Sequence, residues 1–255
     1  MQMRFFVFAW PGYLEAARRL EQRLVDRGRH VSVIASGLDN APDHWSKLSN
    51  DSYFGDQFAL CLRMFVGDVL VHIQADATID DLDEFLRRLE HAHSEYSPGV
   101  WAPDVDYTFY ATRLVTLDRE LGFDGSFEHD SDLVQVLNTD CTCWSISAIV
   151  VEDLLRFTRS DWRYGWGWDH LAAAISLSRG LPVVRDLSIR VLHRRGTGYS
   201  AMQAAVEFER VKSDLPPTLK SIVALQEAVI AARYAGSIQW AIDRLRHRLP
   251  SRLVP

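Results

Sequence analysis

The chain has 255 residues, 47% of them hydrophobic, which suits one large α/β domain, or a domain of roughly 200 residues with a helical appendage, and excludes a disordered polypeptide. A formal charge of -6 provides no global basic footprint, so nucleic acid is not an expected partner and any anionic ligand has to be held by local groups. Three cysteines, Cys61, Cys141 and Cys143, make no disulfide framework, and Cys141-Thr142-Cys143 lacks the spacing and partner cysteines of a zinc site, so inert thiols in a reducing compartment are expected.

Phe5 to Trp10 reads as a buried strand and, lacking a basic n-region and a cleavage site, not as a signal peptide. Pro11 then sits where a helix can begin, and Leu14, Ala17, Leu20 and Leu24 define one apolar helical face before Gly28 stops it. His30 to Ala35 is a second strand, so the chain opens with a βαβ unit and a parallel sheet. Ser36 to Phe54 is rich in turn residues and is read as a long loop with at most a short helix, of the kind that tends to carry function. A helix over 56–65, a strand from Asp68 to Ile73, a helix from Ile79 to Ala92 and a short strand from Val100 to Ala102 come after it.

The middle of the chain changes character. Thr108 to Leu117 and Leu133 to Val151 are rich in β-branched and aromatic residues with no long helix between them, which predicts an antiparallel or mixed extension of the sheet. A helix over 152–157, an aromatic loop Trp162 to Trp168, a helix from Asp169 to Ser178 and a strand from Leu181 to Leu192 come next. After Gly198 the pattern is helical, with an interruption at Pro216-Pro217. No apolar run approaches the roughly 20 residues that cross a bilayer.

Three stretches carry candidate chemistry. In GDVLVHIQADATIDD, Asp76 follows an apolar strand; it either caps the next helix or holds the turn at Thr78, or it binds a ligand at the carboxyl end of the sheet, where α/β folds place their sites. In RYGWGWDH, two glycines alternate with large rings, and Asp169 is either a helix cap or a general base beside indole walls that exclude solvent. His193 ends a strand and precedes RRGTGYS; it is either structural or a metal ligand, with Arg194 and Arg195 near phosphate oxygens and Gly196 and Gly198 allowing the loop to close.

In this order the three stretches resemble the GT-A glycosyltransferases, especially the bacterial inverting family-two type, over about Met3 to Tyr199. The resemblance implies a Rossmann-like three-layer sandwich with a mixed central sheet and a helical C-terminal extension: a catalytic domain over 1–199, with a nucleotide-sugar half over 1–102 and an acceptor half over 103–199, and an extension over 200–255. It implies that Asp39 and Asn40 of ASGLDNAP lie near the nucleotide base, that Asp76 is the last acid of a DxD-type motif with Gln74 where a first acid often stands, and that His193 completes a site for Mn2+ or Mg2+. It further implies Asp169, with His170 as the neighbouring candidate, as the base, and Trp166 and Trp168 on the acceptor side.

The activity that the resemblance implies is transfer of a sugar from a UDP- or GDP-linked donor to a glycan or lipid-linked acceptor, with inversion, in surface-polysaccharide or lipopolysaccharide assembly. A binding protein that has kept the fold without turnover, as Gln74 permits, and a nucleotidyltransferase are the rival readings; AWPGYLE is a poor substitute for the phosphate loop the latter needs. The tail WAIDRLRHRLPSRLVP either packs on the domain with a solvated basic face or meets an anionic membrane surface, which would place a cytoplasmic protein at the inner face of the membrane.

Overall fold

A computed structural model describes residues 1–106, 130, 132–193 and 199–235. The expected strand over Thr108 to Leu117, the arginines at 194 and 195 and the basic tail after residue 235 lie outside the described residues. The elements run β1 Met3–Ala9, α1 Leu14–Val25, β2 His30–Ser36, β3 Ser46–Leu48, α2 Phe54–Met64, β4 Val69–Gln74, β5 Ala77–Ile79, α3 Leu82–Tyr96, β6 Val100–Asp106, β7 Leu133–Gln135, β8 Cys143–Ser147, α4 Ala148–Leu155, α5 Trp168–Ser178, β9 Val183–His193, α6 Ala201–Asp214 and α7 Pro217–Ala235.

Among the described residues nine strands form one mixed sheet, ordered β3-β2-β1-β4-β8-β6-β9-β5, with β7 also paired to β9. β1 runs parallel to β2 and β4, as the opening βαβ unit predicts. β8 then inserts antiparallel between β4 and β6, and β9 runs parallel to β6, so the sheet is mixed in its second half.

β1 shows why the sheet is the middle of three layers. Phe5 and Val7 face one apolar cluster with Leu20, Leu24, Phe85, Leu86 and Leu89 from α1 and α3. Phe6 and Phe8 face the other, with Phe58 from α2, Val151 and Leu154 from α4, Leu171 and Ile175 from α5, and Phe208 and Val223 from α6 and α7. A strand buried on both faces reads as a continuous apolar run because side chains alternate across the pleat. Each fully buried Phe contributes about 1.5–3 kcal/mol of transfer free energy.

Local departures from the expected elements have local causes. Pro11 lies in a turn closed by Tyr13 N–H donating to Trp10 C=O (3.0 Å), and α1 starts only at Leu14. The long loop holds a three-residue strand, β3, parallel to β2. Ile79, expected on a helix, ends β5; α3 begins three residues later, capped by Asp81, whose carboxylate accepts from Glu84 N–H (2.9 Å). The pairing of β6 with β9 shifts register between Pro103 and Asp104, and Asp186, paired with Pro103, is buried against Arg88 of α3 (2.7 Å).

Candidate active site

Strand direction collects the candidate residues at one edge. β1, β2, β4, β6 and β9 all point the same way, so Trp10, Ser36, Gln74 and His193 share the carboxyl edge of the sheet. Because β8 is antiparallel to β4, the loop that enters it arrives at that same edge, with Gln74 N–H donating to Thr142 C=O (2.9 Å). This is where ligands bind in open α/β sheets.

The chain leaves β4 at Ala75-Asp76 and crosses to the far side of the sheet, where β5 pairs antiparallel with the end of β9 and sets Ala77 opposite His193. Asp76, the residue before Ala77, thereby meets His193: its Oδ2 lies 3.2 Å from Nε2. The Asp76 side chain is only 8% exposed, and its Oδ1 is buried without a hydrogen-bond partner among the described residues. Burial lowers the His193 pKa, but the hydrogen bond and charge of Asp76 and the charge of Asp140 outweigh it, so the imidazole is raised above its ordinary value. Asp76 caps no helix, that task belonging to Asp81.

Carboxylate oxygen and neutral imidazole nitrogen are donor types that a divalent cation accepts, its other positions being filled by phosphate oxygens and water. Among the described residues no group of three or more His, Cys, Asp or Glu forms a cation cluster.

Asp169 comes from the start of α5. Gly167, at φ +89°, is the N-cap, so Asp169 lies in the first turn rather than at the cap. Gly165, at φ +76°, is pressed on α2: a Cβ there would stand 2.6 Å from the Phe54 ring and 2.9 Å from the Gly55 backbone. Gly55 N–H in turn donates to Arg163 C=O (2.8 Å). The two positive φ values explain the glycines.

Asp169 is buried, and its Oδ1 lies 3.1 Å from His170 Nδ1. Asn138, also buried, places its side-chain amide 3.3 Å from the same ring nitrogen. The Asn138 Oδ1 is likewise buried without a hydrogen-bond partner among the described residues.

Asp140, which no pattern in the sequence singled out, completes the acidic edge. Burial raises its carboxyl, opposed by hydrogen bonds from Thr142 and by the charge of His193, and reinforced by the charge of Asp169. It therefore lies within electrostatic reach of both the Asp76–His193 pair and Asp169. Its one signal in the sequence is the one Asp76 shows, an acid at the boundary of an apolar strand.

The remaining expected residues fall in different places. Gln74 ends β4 and is half-buried. Asp39 and Asn40 are exposed in the turn after β2, at the carboxyl edge of the sheet. Trp166 is 38% exposed and its indole N–H donates to the Tyr199 hydroxyl (2.9 Å). Trp168, expected on the acceptor side, is instead 1% exposed and stacked 3.9 Å from Trp162 within the apolar core. The cysteines are free, and burial pushes all three thiols up, which suits inert groups.

Solved structures share this architecture. The chain superposes on GalNAc-T7, solved with UDP, GalNAc and Mn2+, with a TM-score of 0.57 at 10% identity over 86% of this chain and 49% of that one. It superposes on residues 1–349 of S. aureus TarS in complex with UDP-GlcNAc with a TM-score of 0.54 at 12% identity, covering 88% of this chain and 71% of that one. A longer S. aureus TarS structure gives a TM-score of 0.55 at 13% identity over 94% of this chain and 44% of that one. The chain thus spans about half the length of GalNAc-T7 and less than half of the longer TarS. No family model matches the sequence, and no curated protein matches it. These structural neighbours are GT-A glycosyltransferases, and the chain has the GT-A fold. No helix among the described residues is long and apolar enough to cross a membrane.

Proposed function

We propose that the chain is a glycosyltransferase that moves a sugar from a UDP- or GDP-linked donor to a hydroxyl of a glycan or lipid-linked acceptor, with inversion, in the assembly of a cell-surface polysaccharide or lipopolysaccharide. The observation that carries this reading is the meeting of Asp76 and His193 at 3.2 Å, with one buried carboxylate oxygen lacking a hydrogen-bond partner among the described residues, on the same sheet edge as Asp169. The ligands named with the two neighbours, UDP with Mn2+ and UDP-GlcNAc, support the donor class.

Asp76 and His193 are the residues that would hold Mn2+ or Mg2+. Such an ion, when bound, offsets the negative charge that collects on a departing diphosphate. Asp169 accepts the proton of the acceptor hydroxyl as its oxygen bonds to the anomeric carbon; the bond from that carbon to the diphosphate oxygen breaks and the leaving group takes the electron pair. One displacement from the face opposite the leaving group inverts the carbon. His170, hydrogen-bonded to Asp169, fixes the direction of the carboxylate. Phosphates cannot enter an apolar core, which is why Asp76 stands just beyond a strand end.

Calorimetric titration with UDP and GDP, with and without Mn2+, tests the reading. Metal-dependent binding lost in Asp76→Ala is expected, together with an Asp169→Asn variant that keeps nucleotide binding while donor turnover falls by about 10²–10⁴. Absence of nucleotide binding under both conditions refutes it.

A further inference from the structure

A wall of aromatic rings that the proton transfer does not use includes Tyr199, whose hydroxyl lies within electrostatic reach of Asp169. Tyr53, at the start of α2, lies 4.7 Å ring to ring from Tyr164 and 6.1 Å from Tyr199, and Tyr164 stacks on Tyr199 at 4.9 Å and 29°. Trp166 continues the wall through its hydrogen bond to the Tyr199 hydroxyl (2.9 Å). Its carbonyl is held inward by the Trp162 indole N–H (2.8 Å), while its ring stays 38% exposed.

The four rings come from three separate segments of the chain, and each is partly open to solvent. Phe54, Phe58, Trp162 and Trp168 pack ring against ring in the apolar cluster on one side of the sheet. The rim is polar: Tyr164 donates its hydroxyl to Gln203 (3.0 Å), and its backbone N–H donates to Glu207 (2.9 Å). Rings fixed by such bonds lose little freedom when a ligand arrives.

Flat apolar faces edged by hydrogen-bonding groups match a pyranose ring, which is apolar across its C–H face and polar around its rim. An acyl chain would be matched by an apolar groove without the polar edge. We propose that Tyr53, Tyr164, Trp166 and Tyr199 form the acceptor subsite for a pyranose ring, so that the acceptor is a saccharide. The link from this platform to Asp169 rests on the glycosyltransferase reading.

The test is saturation-transfer NMR and titration of the full chain with methyl β-D-glucopyranoside, cellotriose and N-acetylchitotriose, with UDP and Mn2+ present, and with phosphatidylcholine–phosphatidylglycerol vesicles as a separate arm. Saccharide binding that weakens about tenfold or more in Trp166→Ala and recovers to within about threefold in Trp166→Phe is expected, with UDP affinity unchanged in both. The exposure of Trp166 lets the variants fold, which urea unfolding checks. UDP binding without saccharide binding, saccharide binding indifferent to Trp166→Ala, or Trp166-dependent vesicle binding without saccharide binding each overturns the platform and leaves the transferase reading standing. Trp166-dependent saccharide binding with no nucleotide binding supports the platform and removes the transferase reading.

Discussion

Gly167 is the point at which the loop, the helix that carries Asp169 and the C-terminal helices meet, and its replacement measures how tightly they are coupled. In Gly167→Ala the new Cβ would stand 2.1 Å from Cε2 of Phe208, and the backbone would have to keep a φ of +89°. A left-handed conformation costs an L-residue about 1–2 kcal/mol. Overpacking a tight site adds about 1–3 kcal/mol. The single variant therefore loses about 2–5 kcal/mol. Phe208→Ala alone empties a site stacked over Trp162 (6.1 Å, 11°) and near His170 (5.8 Å), and costs about 3–5 kcal/mol. In the double variant the clash is gone and only the backbone cost of Gly167→Ala remains, so the two losses sum to more than the double loss by about 1–3 kcal/mol. Urea unfolding followed by tryptophan fluorescence, with m-values compared, reads the cycle directly. Losses that add to within about 0.5 kcal/mol would show that Phe208 does not confine Gly167, and the packing assigned to the loop would be wrong.

Two further outcomes rest on buried and capping groups. Burial drives the His72 imidazole down to about 3 and the His93 imidazole to about 4, so both are neutral in the folded chain while the unfolded chain protonates them near 6.5. Their contribution is complete above pH 6.5 and is lost as the pH falls toward those values, each removing about 2–3 kcal/mol by pH 4.5; unfolding midpoints at pH 7 and 4.5 measure the loss, and a pH-independent midpoint contradicts it. Asp81→Ala removes the α3 cap and costs about 1 kcal/mol of stability while leaving nucleotide binding intact. If calorimetry instead finds nucleotide binding reduced in that variant, Asp81 rather than Asp76 is the acid at the site.

Local pattern made the opening of the fold legible. The apolar run through β1, the helical face of α1 and the glycine at 28 with φ +69° each encode their element within a few residues, because burial on two faces, burial on one face and a left-handed turn need different residues. β3 was not legible, since three residues with exposed or half-buried side chains carry no periodicity of their own and are extended only because β2 offers a free edge.

The same division runs through the site. That Asp76, Asp169 and His193 stand at element boundaries is written in the chain, because a strand or helix that ends in a charge marks where the core stops. Which boundary residues meet is not, since it depends on β5 crossing the sheet to pair with β9 and on β8 entering antiparallel to bring Asp140 and Asn138 to the same edge. Trp166 and Trp168 show the limit most sharply: alternating with glycines, they look equivalent in sequence, and only the helix start at Gly167 turns one ring to solvent and the other into the core. Local chemistry decides what a segment can be; contacts between segments distant in the chain decide which face it shows, because that choice is set by the surface already waiting to be buried.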